Sequence, residues 1–345
     1  MAGTLTIGST KYPFDTEIFA LEWGQVPDLV KTAMVNSGAM VEDAYIGSLI
    51  ANGSNTYTIP FYNDLADGDE DNYDGQTDMT AGESTGDSQT GVVYGRMKAW
   101  KAPQFAADFT TAKPMAHIAA RIAPWYNRQT QKRIIGIANG VLGVTGMASH
   151  AVTKSKLDEN TLSDVTQEIW GDNKGSITMA IMHSAVAQEF EDLNRSNYLK
   201  YTDANGMTAV VRTININGIT CVIDDGMPVT PAQEASGSGE NAVPAKPAMY
   251  DTYLFGVGAL RHASAPVTLP VETWRDPVKN GGMDFIGTRR RETIHPNGMS
   301  FKAPASMGES PTNAQLFAKA NWTMAYPDAK GILIGKMTTL GHAAE

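Results

Sequence analysis

The most distinctive stretch of the sequence is DLADGDEDNYDGQTDMTAGESTGDSQTG, from Asp64 to Gly91. It is rich in Gly, Asp, Ser and Thr and has few large apolar residues, so it is too polar to pack into a core. Strand-like runs flank it, at 56–62 and 91–100. A long polar excursion between two strands predicts an extended hairpin that projects from the body of the protein. Because a connection of this length is unusual inside a compact domain, it indicates a role outside that domain.

The charge of the chain is concentrated around this hairpin. The 345 residues include 27 basic and 37 acidic side chains, for a net charge of -10. Residues 32–95 hold eleven acidic residues and no Lys or Arg, so the rest of the chain is close to neutral. Residues 96–133 then hold eight basic residues and one acidic residue. An acidic lobe followed by a basic one can pair across a subunit contact, or the two can be solvated faces of one monomer.

Length and composition limit the class of protein. The chain is long enough for about two domains, and its 42% hydrophobic content is typical of a globular body. The negative net charge disfavours binding to nucleic acid or to an anionic membrane surface. A single cysteine, Cys221, excludes an internal disulfide and a Cys-rich zinc site. With neither a basic, apolar leader nor a run of about 18 apolar residues, we expect a soluble chain made in the cytoplasm.

The remaining elements follow from hydrophobic spacing and turn residues. Apolar residues at three-and-four spacing predict a long helix near the middle of the chain, with a kink or a start at Pro124 and an end at the glycines that follow Leu142. The other predicted elements are a helix over 27–50, a short helix over 163–170, a strand over 177–182, a helix from 184 to about 193, strands at 208–215 and 219–223 around Asn217-Gly218, a flexible loop over 231–248, and strands over 253–257 and 289–301.

No catalytic constellation emerges from the motifs, and we expect neither an enzyme nor a cofactor. Asp67, Asp69, Asp71 and Asp78 resemble the spacing of a calcium loop, but the sixth position is Asn72 where such a loop has glycine. The six histidines lack the spacing of metal ligands, and the run around Cys221 is that of a core strand. The glycines at 136, 140, 143 and 146 follow a helix, so they cannot cradle phosphate in the P-loop manner. Residues 289–291 are three consecutive arginines. On a strand their side chains would alternate between the two faces, which favours ion pairs with acidic neighbours over recognition of nucleic acid.

The order of elements resembles the major capsid proteins of tailed bacteriophages with the Hong Kong 97-type fold, and within them the gp13-like group. Local phrases carry the resemblance: Ile181-Met-His-Ser184 entering a helix, Gly218-Ile-Thr-Cys-Val-Ile-Asp-Asp-Gly-Met-Pro228, Tyr253-Leu-Phe-Gly-Val-Gly-Ala-Leu260, and Arg289-Arg-Arg-Glu-Thr-Ile-His-Pro-Asn-Gly-Met-Ser-Phe301. Together they cover roughly residues 20–305 and are specific as an ordered combination.

The resemblance implies an α+β fold in four parts. Residues 1–50 would be an N-terminal arm, and 51–108 an extension loop that lies over a neighbouring subunit. Residues 109–158 and 265–345 would form a peripheral domain with a spine helix over 121–144. Residues 159–264 would form a mixed α/β axial domain around the axes of hexamers and pentamers.

The same resemblance implies a structural protein that assembles with itself into an icosahedral head and encloses double-stranded DNA without reading its sequence. Expected partners are a separate scaffolding protein, because no charged helical leader precedes the arm, a portal and a decoration protein. Covalent cross-linking through a loop lysine is not expected, since Lys98 is the first lysine after the acidic stretch. The expected location is the virion, after assembly in the host cytoplasm. Residues expected at contacts between subunits are Asp67, Asp69, Asp71, Asp74, Arg96, Lys98, Lys101, Arg121, Arg128, Arg289, Arg290 and Arg291.

Two other readings compete with the capsid. A different structural phage component, or a calcium-binding surface module that uses the Asp-rich loop, would also explain a chain without catalytic residues. A large rise of the melting temperature at micromolar calcium would favour the module.

Overall fold

The structure is a computed structural model. It describes residues 37–51, 53–65, 68–105, 108, 114–158, 160–193, 218–233 and 247–341, and the backbone of strands at 4–7, 10–13, 197–202 and 208–216.

The described residues form five α-helices and nineteen strands. The helices are α1 (Ala44–Ala51), α2 (Pro114–Leu142), α3 (Thr161–Trp170), α4 (Ser184–Asp192) and α5 (Asn313–Phe317). The strands are β1 (Thr4–Ile7), β2 (Thr10–Pro13), β3 (Met40–Glu42), β4 (Thr56–Tyr62), β5 (Gly86–Val92), β6 (Tyr94–Pro103), β7 (Ala151–Lys154), β8 (Ile177–Met182), β9 (Asn197–Thr202), β10 (Thr208–Ile216), β11 (Ile219–Ile223), β12 (Val229–Thr230), β13 (Met249–Gly256), β14 (Leu260–Ala265), β15 (Val271–Asp276), β16 (Met283–Pro296), β17 (Met299–Phe301), β18 (Trp322–Met324) and β19 (Ile334–Leu340).

A mixed sheet of eight strands forms one half of the fold. Its order is β7-β19-β13-β8-β11-β10-β9, and β12 pairs with β13. The central strand β8 is almost entirely apolar and buried, as expected for a strand covered on both faces. Helices α3 and α4 pack on this sheet through a buried cluster that includes Trp170, Phe190 and Cys221. The predictions of β8, β11, helix α4 and a core position for Cys221 are therefore confirmed.

A second sheet is built around the long strand β16. Strands β14 and β15 pair with successive parts of one edge of β16, and β6 runs along the other edge over ten residue pairs. On the far side of β14, the short strand β3 pairs in parallel. This arrangement places β6, the strand that follows the acidic hairpin, directly beside the central strand β16.

The predicted long helix is α2, and it changes environment midway. Its buried residues begin at Thr130 and continue to Leu142, whereas the first half is half-buried or exposed. The helix neither starts at Pro124 nor stops there. Proline at this position removes one N–H bond to the carbonyl of Ala120, and because Ala120 is exposed, water can bond that carbonyl instead.

Two glycines inside α2 allow a close approach of α5. A Cβ added at Gly140 would lie 2.6 Å from the Phe317 carbonyl oxygen, and one at Gly136 would lie 2.4 Å from the Phe317 ring. The prediction that the glycines follow the helix is thus wrong for these two, which lie one turn apart within it. The helix ends before Gly143, as predicted.

Replacing Gly140 by alanine is expected to destabilise the protein by about 1–3 kcal/mol, because the added methyl group meets backbone that cannot rotate away. In an unobstructed helix the same change stabilises by up to about 1 kcal/mol. Gly47 of α1 has open space at its Cβ position and is the matched control. Urea unfolding should therefore move in opposite directions for G140A and G47A, and a stabilised G140A would contradict the close approach.

Two predicted elements differ from the structure. In the described part of the 27–50 helix prediction, residues 40–42 are strand and the helix begins only at Ala44. Asp43 caps that helix, since its Oδ1 accepts from the backbone N–H groups of Tyr45 at 2.9 Å and Ile46 at 3.1 Å, and Gly38 has a φ of 73° that interrupts any helix before it. The single strand predicted over 91–100 is two strands, because β5 pairs with β4 while β6 pairs with β16.

Other predictions are confirmed with shifted ends. Strand β13 begins at Met249, and α3 begins at Thr161. Strands β10 and β11 form the predicted antiparallel pair, with Gly218 at a φ of 86°. The predicted final strand is interrupted at Asn297-Gly298, after which β17 pairs with β18. The predicted loop at 231–248 lies largely outside the described residues. Among the described helices, none is long and apolar enough to cross a membrane.

Candidate assembly interface

The acidic stretch forms the end of a two-stranded hairpin whose stem is held against the body. Strands β4 and β5 pair in register from Thr56 with Val92 to Tyr62 with Gly86. The lower part of this stem is buried, and helix α1 packs on it through Ile46 and Ile50. Every described residue from 68 to 88 is exposed. The predicted projecting hairpin is therefore present.

A buried polar network joins the stem to the body. The Gln89 side-chain oxygen accepts from the backbone N–H of Gly298 at 2.9 Å and lies 3.1 Å from His295 Nε2. The hydroxyl of Tyr57 lies 2.9 Å from that of Thr293, which donates to the carbonyl of Val92 at 2.8 Å. Burial, and then the positive charge of Arg261, lower the pKa of His295 to about 3. The stem position of the hairpin is thus fixed by buried hydrogen bonds that each need a specific partner.

The end of the hairpin, residues 63–85, is here called the tip. Asp69, Asp71 and Asp74 are exposed there, while Asp67 lies outside the described residues. Asp74 accepts from the backbone N–H groups of Gln76 and Thr77, and these bonds hold the pKa of its carboxyl group below the usual value. The tip also exposes large apolar side chains, among them Tyr73 and Met79 at 101% and 90%. The tip is thus both acidic and apolar, and the apolar part was not recognised from sequence.

Several basic candidates are engaged within the chain. Arg96 donates to the carbonyl of Pro311 at 2.9 Å and to Asn313 Oδ1 at 2.8 Å. Arg289 forms a 2.8 Å ion pair with Glu272. Arg291 donates to the Ser54 carbonyl. The predicted alternation of the arginine triplet, with acidic partners for Arg289 and Arg290, is confirmed.

Arg290 belongs to a buried charge cluster. The Glu292 carboxylate lies 2.8 Å from Arg133, 3.3 Å from Arg290 and 3.7 Å from His262. Burial alone would raise the pKa of Glu292, but a hydrogen bond to His262 and the charges of Arg290 and Arg133 hold it below the usual value. Arg133 also lies over the ring of the buried Tyr94. The cluster joins α2, β16, β14 and β6 where α2 becomes buried.

Three basic candidates keep exposed charges. Lys98, Lys101 and Arg128 are exposed, and none lies within ion-pair distance of a described carboxylate. Arg121 is half-buried near the start of α2. Lys98 and Lys101 are close in sequence but lie on opposite faces of β6. They therefore do not form one basic patch.

The described residues contain no group of three or more His, Cys, Asp or Glu side chains placed to hold a metal ion. Three of the six histidines, His150, His262 and His295, are buried within the fold. His150 Nδ1 lies 2.9 Å from the carbonyl of Ile334, and burial lowers its pKa.

The comparisons with known proteins agree with this architecture. No protein-family model matches the chain. The chain is 26% identical over 306 residues to the major capsid protein of Bacillus phage SPP1. The matched residues cover 87% of this chain and 88% of that protein. The acidic stable capsid structure of Helicobacter pylori bacteriophage KHP30 is similar with a TM-score of 0.50, 12% identity and coverage of 87% of this chain and 86% of that one. The head structure of bacteriophage KHP40 gives a TM-score of 0.50 and 12% identity, covering 88% and 86%. The chain therefore has the α+β fold of Hong Kong 97-type phage capsid proteins.

Proposed function

We infer that the chain is a phage major capsid protein, which assembles with copies of itself into the icosahedral head of the virion. The observation that carries the inference is a hairpin with an acidic and apolar tip, exposed at every described residue from 68 onward, on a fold shared with phage capsids. A monomer gains nothing from holding such a tip away from its body, whereas a shell subunit needs a surface that reaches its neighbour. The similarity to the SPP1 major capsid protein supports the same role.

The proposed function gives each part of the fold a role in the shell. We assign residues 51–108 to the extension loop, 109–158 and 265–345 to the peripheral domain, 159–264 to the axial domain, and 1–50 to the N-terminal arm. The subunit assembles in the host cytoplasm into hexamers and pentamers around a separate scaffold, with a portal and a decoration protein as further partners. Its acidic charge suits a shell that encloses DNA without gripping it.

The proposed contact between subunits places the acidic tip of one copy on basic surface of the next. The candidates for that surface are Lys98 and Arg128 on the side of α2 and Lys101 on the opposite face of β6, because none of the three forms an ion pair with a described carboxylate. Opposite charges on two such surfaces speed the encounter of subunits, and salt screens them.

Replacing Asp67, Asp69, Asp71 and Asp74 together by asparagine should slow assembly at low salt several-fold and flatten the dependence of its rate on salt. The substituted residues that the structure describes are exposed, so folding is preserved. Light scattering over a salt series measures the rate. Asp164 and Asp172 are exposed carboxylates outside the hairpin, and their double replacement by asparagine is the control.

If the quadruple variant assembles at the same rate and with the same dependence on salt, the proposed charge contact is ruled out. An effect of the control pair in proportion to its two charges, half that of the quadruple variant or more, would show that net charge, and not the tip, governs the rate.

A further inference from the structure

Helix α2 covers one face of the sheet around β16. On the other face, helix α1 and the hairpin stem cover the β14 end, where Tyr57 meets Thr293, and no described residue outside the sheet is seen to cover the β15 end. On the covered face, Trp100 of β6 packs edge-on against Trp125 of α2, with ring centroids 5.4 Å apart. Tyr126 of α2 contacts Thr288 of β16 on the same side. Residues paired across antiparallel strands project to the same side of a sheet, and neighbours along a strand project to opposite sides. The residues on either side of Trp100, Ala99 and Lys101, therefore face away from α2.

The uncovered end of this face is an aromatic shelf across three strands. Trp274 of β15, Phe285 of β16 and Lys101 of β6 lie in one row of the sheet. The Trp274 and Phe285 rings are stacked, with centroids 5.2 Å apart and an angle of 2° between their planes. The indole also lies across Gly287, where a Cβ would approach it to 2.9 Å. Trp274, Phe285, Gly287 and Ala99 make up what we call the shelf.

The shelf is partly exposed among the described residues although it is apolar, because Ala99 and Trp274 are exposed, Phe285 is half-buried and Gly287 is buried beneath the indole. Trp274 is 42% exposed, and Met97, which lies two residues before Ala99 on the same face, is 81% exposed. Contiguous exposed apolar surface of this kind marks interaction sites, and Trp, Tyr and Met are the side chains that concentrate at the centres of interfaces. The Arg289–Glu272 pair, also on this face, is neutral as a unit.

We propose that the shelf receives the apolar side chains of the tip, Tyr73 and Met79, from a second copy of the chain. This inference rests on the proposed function and names the receiving face. Both surfaces expose large apolar side chains, and Lys101 in the shelf row is the cation that meets the carboxylates around Tyr73. Because tip and shelf are different surfaces, the contact is head-to-tail, and such contacts close into rings.

Apolar contacts and charges have different effects at this contact. The apolar residues would hold the contact, and the charges would speed its formation, since rim charges act mainly on the association rate. Salt should therefore slow the formation of particles but leave finished particles intact. Replacing Tyr73 and Met79 together by serine should abolish particles at every salt concentration, whereas the quadruple Asp variant should still form them slowly.

A thiol-specific cross-linker tests the geometry directly. The only native cysteine, Cys221, is buried and does not compete. A protein carrying M79C and A99C should give covalent multimers when assembled particles are treated with a short bis-maleimide. The matched control carries M79C and K98C, because Lys98 is equally exposed but on the helix-covered face of the same strand.

The outcomes are distinguishable. Multimers with A99C and monomers with K98C support the shelf as the receiving face. Intact particles in which both pairs cross-link equally, or in which neither does, overturn the proposal and leave the capsid function standing. If the unsubstituted protein forms no particles, both the proposed capsid function and the proposed contact between tip and shelf are contradicted.

Discussion

Replacing Glu292 by glutamine is expected to lower the free energy of unfolding by roughly 3–5 kcal/mol. Glu292 is the carboxylate that Arg133 and Arg290 share, at 2.8 and 3.3 Å. The Arg133 side chain is only 3% exposed, so its charge would remain in the interior without a counter-charge or full hydration. Removing one partner of a buried pair costs more than the pair contributes, because the other partner stays buried.

The chain contains a control ion pair with the same bond length, whose arginine lies on the same strand as Glu292. Arg289 and Glu272 also lie 2.8 Å apart, but both side chains are 43% exposed. Replacing Glu272 by glutamine should cost at most about 1 kcal/mol. Urea unfolding of the two variants measures the difference. Equal losses for E292Q and E272Q would contradict the buried charge cluster.

Stability should fall as pH drops from about 6.5 towards 3, and His295 should account for a large part of that fall. Its pKa in the folded protein is about 3, below the ordinary value, because burial disfavours the charged ring. Between the two pKa values the unfolded chain holds one proton that the folded chain does not, so stability rises with pH by up to about 1.4 kcal/mol per unit. Over the whole window this amounts to on the order of 5 kcal/mol. His150 and Glu292, whose pKa values are also lowered, add losses of the same sign.

The H295Q variant isolates this contribution. Its side-chain amide can still donate to the Gln89 oxygen, which now lies 3.1 Å from His295 Nε2, but it does not titrate. The dependence of the unfolding free energy on pH, measured from 4 to 6.5, should become shallower by close to one proton. A slope equal to that of the unsubstituted protein would show that His295 is not held neutral. Because Gln89 belongs to the hairpin stem, acid should also lower the protection of the β5 amides against hydrogen exchange, relative to the intrinsic exchange rate at each pH.

Local patterns predicted the parts of the fold that local forces determine. The apolar run of β8 and the Asn-Gly dipeptide between β10 and β11 are short-range signals, and both β8 and the antiparallel pair of β10 with β11 are present. The helix prediction over 27–50 fails in its described part because the side chain of Asp43 and the conformation of Gly38 override hydrophobic spacing. The division at Val93 was not predicted, since it arises where β5 leaves β4 and β6 joins β16.

The candidate contact residues show the same limit. Counting charges along the chain identified the tip and the basic segment after it, and the described tip carboxylates are exposed. It could not distinguish Lys101, which is exposed, from Arg96, whose partners Pro311 and Asn313 lie more than 200 residues away. Nor could it find Arg133 with Glu292, which are 159 residues apart, or the stacking of Trp274 on Phe285. Each of these depends on strand register.

The most direct test of the capsid function is negative-stain electron microscopy of the purified chain, alone and with its scaffolding protein. We expect shells, tubes or ring-shaped capsomers in at least one of the two conditions, and closed shells with the scaffold. A chain that stays monodisperse and monomeric under both conditions, with no shells, tubes or capsomers, would contradict the function proposed for it.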